Sequence, residues 1–270
     1  MSKYILEEDI YARNGTLLLS KGNIVTEDTI AKLKRHGIYL FILEKPNNYG
    51  AAHNIVSDKV IQTFGERKNI RNNCIFEHPN KILSSILFES KAKPWWICVN
   101  ALTNSVEWIY THSIDVAIIS LMIAMELGFN DDRLWNIGLG AFLHDIGKLL
   151  VPKKILQKPG PLTDIEKYYI RQHCELGMSS IEPLCLPKEC TDIILQHHER
   201  LDGSGYPKGL KGDEICLNSK IVMVADSVDA ITSDRPYRQG RKIDEAIKAL
   251  KSDGEKYSIK IISVLEKILE

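Results

Sequence analysis

Residues 141–150 read AFLHDIGKLL and place a histidine and an aspartate, His144 and Asp145, inside an apolar helical pattern. The pattern predicts a helix over residues 134–150 that stops before Pro152. Burying an ionised aspartate beside an imidazole is costly unless something compensates for the lost hydration. A single His-Asp pair is most often a satisfied core pair, so the segment indicates a functional site only if further polar side chains join it.

The sequence on either side of this segment is helical as well. Residues 106–127 are apolar on most sides and end at Gly128, which predicts a buried core helix. Thr163 follows a Pro-Gly-Pro breaker and opens a capping-box pattern with Glu166. Further helices are predicted over residues 178–184, 188–200, 218–233, 241–252 and 257–269. Residues 83–270 are therefore predicted to form an all-α domain.

The N-terminal residues have a different character. Asn14-Gly15 lies between two apolar-polar stretches and predicts a β-hairpin. A helix is predicted from Thr26 to Gly37 and a strand over residues 38–43, which makes residues 1–44 a small α+β module. Residues 45–82 are polar and rich in asparagine, and we interpret them as a linker with one short helix near residues 55–64. The predicted fold class is mostly α with a small N-terminal α+β module.

Charge and hydropathy exclude some partners. The 270 residues include 35 basic and 35 acidic side chains, so no overall field attracts DNA or an anionic membrane surface. The acidic N-terminus lacks the apolar core of a signal peptide, and the longest apolar run, residues 116–125, is far shorter than the roughly 20 residues that span a bilayer. The sequence predicts a soluble, cytoplasmic protein that binds neither DNA nor membranes.

Potential metal ligands accumulate in the helical domain. Each has an ordinary structural explanation on its own, but together they exceed what one tetrahedral zinc ion requires. Imidazole and carboxylate donors without cysteine suit iron, manganese, zinc or nickel, and an aspartate that bridges two ions is the natural arrangement for phosphodiester hydrolysis. The candidates are His112, His144, Asp145, His173, His197, His198 and Asp226, with Asp229 one helical turn after Asp226.

Several segments resemble a known family. His144-Asp145, followed by Ile-Gly-Lys, resembles the signature of the HD phosphohydrolase superfamily. The match extends from about His112 to Arg238, and an ordered set of segments is far more specific than the His-Asp pair alone. The segments that resemble the HD-GYP subfamily are KPGPLT (158–163), QHHER (196–200), DGSGYP (202–207), VAD (224–226) and TSDRPYR (232–238).

This resemblance implies a helical HD-type phosphohydrolase domain that hydrolyses cyclic di-GMP to pGpG, GMP or both, through a hydroxide held by two divalent metal ions. Iron or manganese is expected, with zinc or nickel as alternatives. The resemblance makes the seven donors named above the metal ligands. It also implies catalytic roles for Lys148, Asp145 and Asp229, and substrate binding by Lys148, Arg235 and Arg238, since an ammonium stabilises developing charge and a guanidinium binds phosphate in a bidentate manner.

The sequence departs from the family pattern in two places. Some members bind a third metal through a glutamate four residues before the first histidine, but here that position is Trp108 and Glu107 is one residue out of register. We therefore predict two metals. A late Phe-Asp-Pro segment is replaced by residues 257–259, Tyr-Ser-Ile, which alters the expected back wall of the pocket.

Two alternatives stay open at this point. The enzyme could act on another cyclic dinucleotide, such as cyclic GMP-AMP, because no base-reading contact is visible in the sequence. A non-catalytic adaptor could instead bind the nucleotide or a diguanylate cyclase. The resemblance implies that such a cyclase partner contacts the loop around Tyr206, and it leaves open whether the protein is a homodimer.

Overall fold

The computed structural model describes residues 74–103, 105, 107–233 and 240–269, together with the backbone of four short strands between residues 3 and 26. Contacts between residues divide the chain into two units, Met1–Tyr49 and Gly50–Glu270.

The described part of the first unit consists of antiparallel strand pairs. The β2–β3 pair encloses Asn14-Gly15 and is the hairpin predicted there. The helix predicted from Thr26 to Gly37, the strand over residues 38–43 and the short helix near residues 55–64 lie outside the described residues. The pairs are β1 (Lys3–Ile5) with β4 (Ile24–Thr26) and β2 (Ile10–Tyr11) with β3 (Leu17–Leu19).

The described part of the second unit is helical, as predicted, and several short 3-10 helices connect its α-helices. In chain order the α-helices are α1 (Cys74–Glu89), α2 (Trp96–Thr103), α3 (Glu107–Glu126), α4 (Asp131–Leu143), α5 (Lys153–Leu156), α6 (Asp164–Arg171), α7 (His173–Ile181), α8 (Lys188–Gln196), α9 (Leu217–Thr232), α10 (Ile243–Ser252) and α11 (Ile259–Leu269).

Helix α3 is the core helix predicted over residues 106–127. It packs against α1, α4, α9 and α11, and residues from Val116 to Ala124 are all buried. Within the described residues, its stretch Trp108–Glu126 is long and apolar enough to pass a length-and-composition test for a membrane span. Because 78% of that window is buried inside the unit, the apolar character is explained by core packing.

Helix α1 begins at Cys74, inside the segment 45–82 that the sequence predicts to be a linker. Phe76, Leu83 and Ile86 are all buried in the core. These three residues recur at helical spacing on one face, while His78, Lys81, Ser84 and Ser85 are exposed. The high asparagine content of the preceding stretch obscured this pattern, and the helical unit starts before residue 83.

The helix predicted over residues 134–150 is wrong in its second half. Helix α4 ends at Leu143, His144 and Asp145 follow it, and the chain then forms a short 3-10 helix, Ile146–Leu150. A side-chain carbon on Gly147 would lie 1.9 Å from the His173 carbonyl oxygen, so the 3-10 helix packs backbone against backbone on α7. The apolar spacing is similar in both kinds of helix, which is why periodicity alone did not find the break.

Two other helix boundaries matter for the site. The capping box predicted at Thr163 is confirmed: Glu166 N donates to Thr163 Oγ1, and Thr163 N donates to Glu166 Oε2 at 2.8 Å. Helix α8 ends at Gln196, several residues before the predicted end at residue 200. His197 and His198 therefore stand at and just beyond a helix end, as do His144 and Asp145.

Candidate metal centre

The seven predicted metal ligands, which are spread over more than a hundred residues of sequence, come together inside the helical unit. Helix α3 contributes one, the end of α4 two, the start of α7 one, the end of α8 two, and α9 one. All are buried except His198, which is half-buried. They form two groups, and within each group the donor atoms lie within 4.8 Å of one another. The first group consists of Asp145, His173, His197 and His198, and the second of His112, His144 and Asp226.

Asp145 links the two groups. Its Oδ1 lies 3.3 Å from His173 Nε2 and 3.7 Å from His197 Nε2. Its Oδ2 lies 3.4 Å from both His112 Nε2 and His144 Nε2. The side chain is fully buried, and among the described residues Oδ1 has no hydrogen-bond partner. A buried carboxylate oxygen that faces imidazole nitrogens without a hydrogen bond is the donor that a metal ion would use.

Backbone carbonyls determine the tautomer of three of the imidazoles. His144 Nδ1 lies 2.6 Å from the Ala141 carbonyl oxygen, and His173 Nδ1 lies 2.6 Å from that of Ile170. His197 Nδ1 is 3.1 Å from the carbonyl oxygens of both Ile193 and Ile194. Because a carbonyl only accepts, each Nδ1 carries a proton, and in its neutral form each ring presents a lone pair at Nε2.

The lone pairs of His173 and His197 point at each other, because the two Nε2 atoms are 3.1 Å apart. Two unprotonated nitrogens at this distance repel, whereas a shared cation turns both into ligands. In the other group, His144 Nε2 lies 3.3 Å from His112 Nε2. The donor set of each group therefore fits a metal ion.

Asp229, predicted to be catalytic, lies behind His112. Its Oδ2 is 2.6 Å from His112 Nδ1, and Ser233 Oγ donates to its Oδ1 at 2.7 Å. This contact leaves His112 Nε2 facing Asp145 and Asp226. In this position Asp229 orients the imidazole and raises its basicity, and the catalytic role predicted for it stays a prediction.

The charge around His112 shows that this end of the centre accommodates a cation. Burial by itself lowers the pKa of His112, but the carboxylates of Asp145, Asp226 and Asp229 outweigh it and hold the pKa well above its usual value. Three carboxylates around one imidazole create a local negative field that a proton or a metal ion can neutralise.

His197, His198 and Asp145 are in the protonation states that metal binding requires. Burial lowers the pKa of His197 to about 4, and burial together with the neighbouring His197 holds the pKa of His198 well below its usual value. Burial would raise the pKa of Asp145, but Lys148 and the adjacent imidazoles hold it well below its usual range. At neutral pH these histidines are neutral and the aspartate is ionised, as metal ligands must be.

Lys148 stands at the edge of the centre, with a largely buried side chain. Its Nζ donates to Asp145 Oδ2 at 2.5 Å and lies 6.0 Å from the centroid of the Trp108 ring. By sequence, Trp108 is at the position where some family members carry the glutamate that binds a third metal. The side chain of Glu107 lies outside the described residues. A count of two metals stays a prediction.

Arg235 and Arg238 lie outside the described residues, so their contacts with substrate stay predictions. Among the described residues that follow them, Arg241 N donates to the Ile231 carbonyl oxygen at 2.9 Å, at the C-terminal end of α9.

Sequence reasoning missed Glu199. Its side chain is fully buried, and its two carboxylate oxygens accept hydrogen bonds from Lys208 N at 2.7 Å and Leu210 N at 3.0 Å. Gly205 packs so closely on this residue that a side-chain carbon would lie 2.4 Å from Glu199 Cα. Glu199 therefore holds in place the loop that contains Gly205. The sequence feature that could have indicated this role is its position directly after the histidine doublet.

The ring of Tyr206 faces the centre. Its centroid lies 4.8 Å from that of the His198 ring, with only 30° between the two planes. The loop around Tyr206 was predicted to contact a partner protein. Because the Tyr206 ring covers His198, a partner at this loop would have to use the exposed residues Asp202, Ser204 and Lys208.

Tyr257, where the sequence departs from the family's Phe-Asp-Pro segment, is buried. Its hydroxyl is 3.0 Å from Ser227 Oγ, next to Asp226, and the Arg200 guanidinium carbon lies 4.9 Å from the ring centroid. Tyr257 therefore forms a hydrogen bond with the helix that carries Asp226.

A helical domain built around buried imidazoles and carboxylates, with a His-Asp pair at its centre, is the structure of an HD-type phosphohydrolase domain, a class that depends on metal ions. The profile of the HD domain family matches residues 97–260. The chain therefore belongs to the HD domain family, and its relatives show that it is of the HD-GYP type, as the sequence resemblance implied.

Curated relatives carry phosphodiesterase names. The cyclic di-GMP phosphodiesterase PA4108 of Pseudomonas aeruginosa is 38% identical over 65% of this chain and 39% of its own length. A cyclic di-GMP phosphodiesterase of Thermotoga maritima is 40% identical over 59% of this chain and 44% of its own length. The chain thus spans less than half the length of these two relatives.

One further relative and one solved structure extend the comparison. The 3'3'-cGAMP-specific phosphodiesterase 3 of Vibrio cholerae is 42% identical over 50% of this chain and 30% of its own length. The structure of Bd1817, a HDG"Y"P protein from Bdellovibrio bacteriovorus, superposes with a TM-score of 0.54 at 19% identity and covers 100% of this chain and 95% of that one. At this identity the superposition shows a shared fold alone.

Proposed function

We propose that this chain is a metal-dependent phosphodiesterase that hydrolyses cyclic di-GMP to pGpG, GMP or both. The observation that carries the proposal is the position of Asp145, whose two carboxylate oxygens each face a different group of imidazoles. A carboxylate shared between two cation sites is typical of enzymes that cleave phosphodiesters with two metal ions. The phosphodiesterase names of the relatives support the same substrate class.

We propose two divalent ions, iron or manganese, with His173, His197 and His198 holding one and His112, His144 and Asp226 the other. When bound, such ions acidify water and neutralise the oxygens of the scissile phosphate. Asp145 and the backbone-anchored imidazoles keep the ligand geometry fixed. The Lys148 ammonium, which already lies beside Asp145, then donates a hydrogen bond to the phosphate and stabilises the charge that develops on the leaving oxygen.

A second candidate substrate is 3'3'-cyclic GMP-AMP. It is favoured by the 42% identity with the Vibrio cholerae phosphodiesterase named for that nucleotide. The two substrates differ in one purine base, so the metal centre and Lys148 would serve both in the same way. The choice depends on contacts to the bases.

A substrate panel tests the proposal. The purified chain, loaded anaerobically with iron(II) or manganese(II), is incubated with cyclic di-GMP, 3'3'-cyclic GMP-AMP and cyclic di-AMP, and the products are separated by ion-pair chromatography. We expect pGpG or GMP from cyclic di-GMP with a kcat/KM at least about tenfold higher than for the other two. A chelator added before the substrate should abolish product formation, because both groups would lose their cations.

Two other results would refute the proposed function. Preferential cleavage of 3'3'-cyclic GMP-AMP would assign the second candidate substrate. Tight binding of cyclic di-GMP by the metal-loaded chain, with no product after prolonged incubation, would indicate the non-catalytic adaptor instead.

A further inference from the structure

Arg171 is a cation beside the metal centre to which neither the sequence motifs nor the proposed chemistry gives a role. It is the last residue of α6, two residues before His173, and its side chain is exposed. Its guanidinium carbon lies 5.2 Å from the centroid of the Tyr206 ring. Among the described residues, no carboxylate forms an ion pair with it.

Tyr206 connects this guanidinium to the centre. One side of the phenol ring faces Arg171, and the ring lies 4.8 Å from His198 and 6.4 Å from His173, measured between centroids. The Arg171 guanidinium and the histidines of the group that contains Asp145 are therefore neighbours of the same aromatic ring. Stacking on an aromatic ring fixes the plane of a guanidinium but leaves its N–H groups free to bind an anion.

Lys148 and Arg171 differ in their existing partners. Lys148 contacts Asp145 directly and is placed to serve the phosphate that undergoes cleavage. Arg171 stands farther out, on the side of Tyr206 and His198. A cyclic dinucleotide carries two phosphates, and only one of them can lie on the metal ions while it is cleaved. The other phosphate lies several bonds away, where a further cation can bind it in addition to the predicted substrate-binding residues Arg235 and Arg238.

We propose that Arg171, oriented by Tyr206, binds the second, uncleaved phosphate of the cyclic dinucleotide. This inference rests on the proposed function and adds to it a residue that selects two-phosphate substrates. A charge-assisted, forked contact with phosphate is among the stronger hydrogen-bonding arrangements in proteins, so its loss is expected to weaken binding about tenfold to a hundredfold.

Kinetics with two substrates test this role. The variants R171A and R171K are assayed with cyclic di-GMP and with bis(p-nitrophenyl) phosphate, which has a single phosphate. We expect R171A to raise KM for cyclic di-GMP at least about tenfold more than KM for bis(p-nitrophenyl) phosphate, with a much smaller change in kcat. R171K, which keeps the charge without the planar fork, should recover part of the loss.

Arg133 supplies a matched control. Its guanidinium carbon is 3.5 Å from the centroid of the Phe129 ring, so it is also an exposed arginine over an aromatic ring, but it lies in the first turn of α4, at the opposite end from His144. R133A should leave both KM values unchanged.

The outcomes separate the inference from the proposed function. If the wild-type chain hydrolyses cyclic di-GMP and R171A has the same KM, the inference is overturned and the proposed function stands. Equal losses of kcat on both substrates would also overturn it, because Arg171 would then act through Tyr206 and the metal centre. If the wild type cleaves bis(p-nitrophenyl) phosphate but not cyclic di-GMP, the proposed function is overturned and the inference with it.

Discussion

Replacing Asp145 with asparagine is expected to lower kcat/KM for cyclic di-GMP at least about a thousandfold, which corresponds to about 4 kcal/mol of transition-state stabilisation. Asparagine preserves the shape of the side chain but removes its charge and replaces one oxygen with an N–H donor. Because both oxygens of Asp145 face imidazole nitrogens, the variant would lose the donor shared between the two groups.

The same variant should bind less metal. Metal content by mass spectrometry is expected to fall clearly below that of the wild type, since the charge that offsets two cations is gone. A matched control is Asp213→Asn, which removes a fully exposed carboxylate that forms an ion pair with Lys220. That variant should retain wild-type activity and metal content. Wild-type turnover in D145N would contradict the proposed arrangement of ligands.

Replacing Gly147 with alanine is expected to lower the free energy of unfolding by about 3 kcal/mol and the Tm by roughly 6–12 °C. The added carbon would lie 1.9 Å from the His173 carbonyl oxygen and 2.5 Å from Gly177 N. Both neighbours are backbone atoms of α7, so no side-chain rotation relieves the clash. The helix must move, and it carries His173 away from Asp145.

Thermal unfolding of the metal-free and metal-loaded protein measures this effect. Gly128→Ala is the matched control, because Gly128 has a φ of +75° but no atom within 4 Å of an added carbon. Its expected cost is the backbone strain alone, about 1 kcal/mol, or about 2–4 °C in Tm. G147A should also lose most of the Tm increase that metal gives the wild type. A smaller loss of stability in G147A than in G128A would contradict the close packing at this point.

Much of the site could be predicted from the sequence, because its donors are polar side chains inside apolar stretches. An aspartate inside an apolar stretch, as at Asp145 or Asp226, demands compensation, and several such positions in one domain indicate a shared ligand. The helical fold followed from periodicity in the same way. Periodicity did not show that α4 ends at Leu143, because the break depends on the contact between Gly147 and α7, which are far apart in sequence.

The supporting residues were harder to predict for the same reason. Asp229 was correctly placed near Asp226, but only the folded chain shows that it holds His112. In the sequence Glu199 appeared only as part of the QHHER segment, whereas in the structure it is buried and accepts hydrogen bonds from two backbone amides of the following loop. Tyr206 turned inward onto His198. Each of these contacts is set by tertiary packing, on which local sequence carries little information.

Anomalous scattering from crystals of the metal-loaded protein tests the central claim most directly. We predict two peaks about 3.5–4 Å apart, one among His173, His197 and His198, the other among His112, His144 and Asp226, with the Asp145 carboxylate between them. A single peak away from these side chains, or none in protein shown to be loaded by metal analysis, would contradict the claim that the two groups form one two-metal centre.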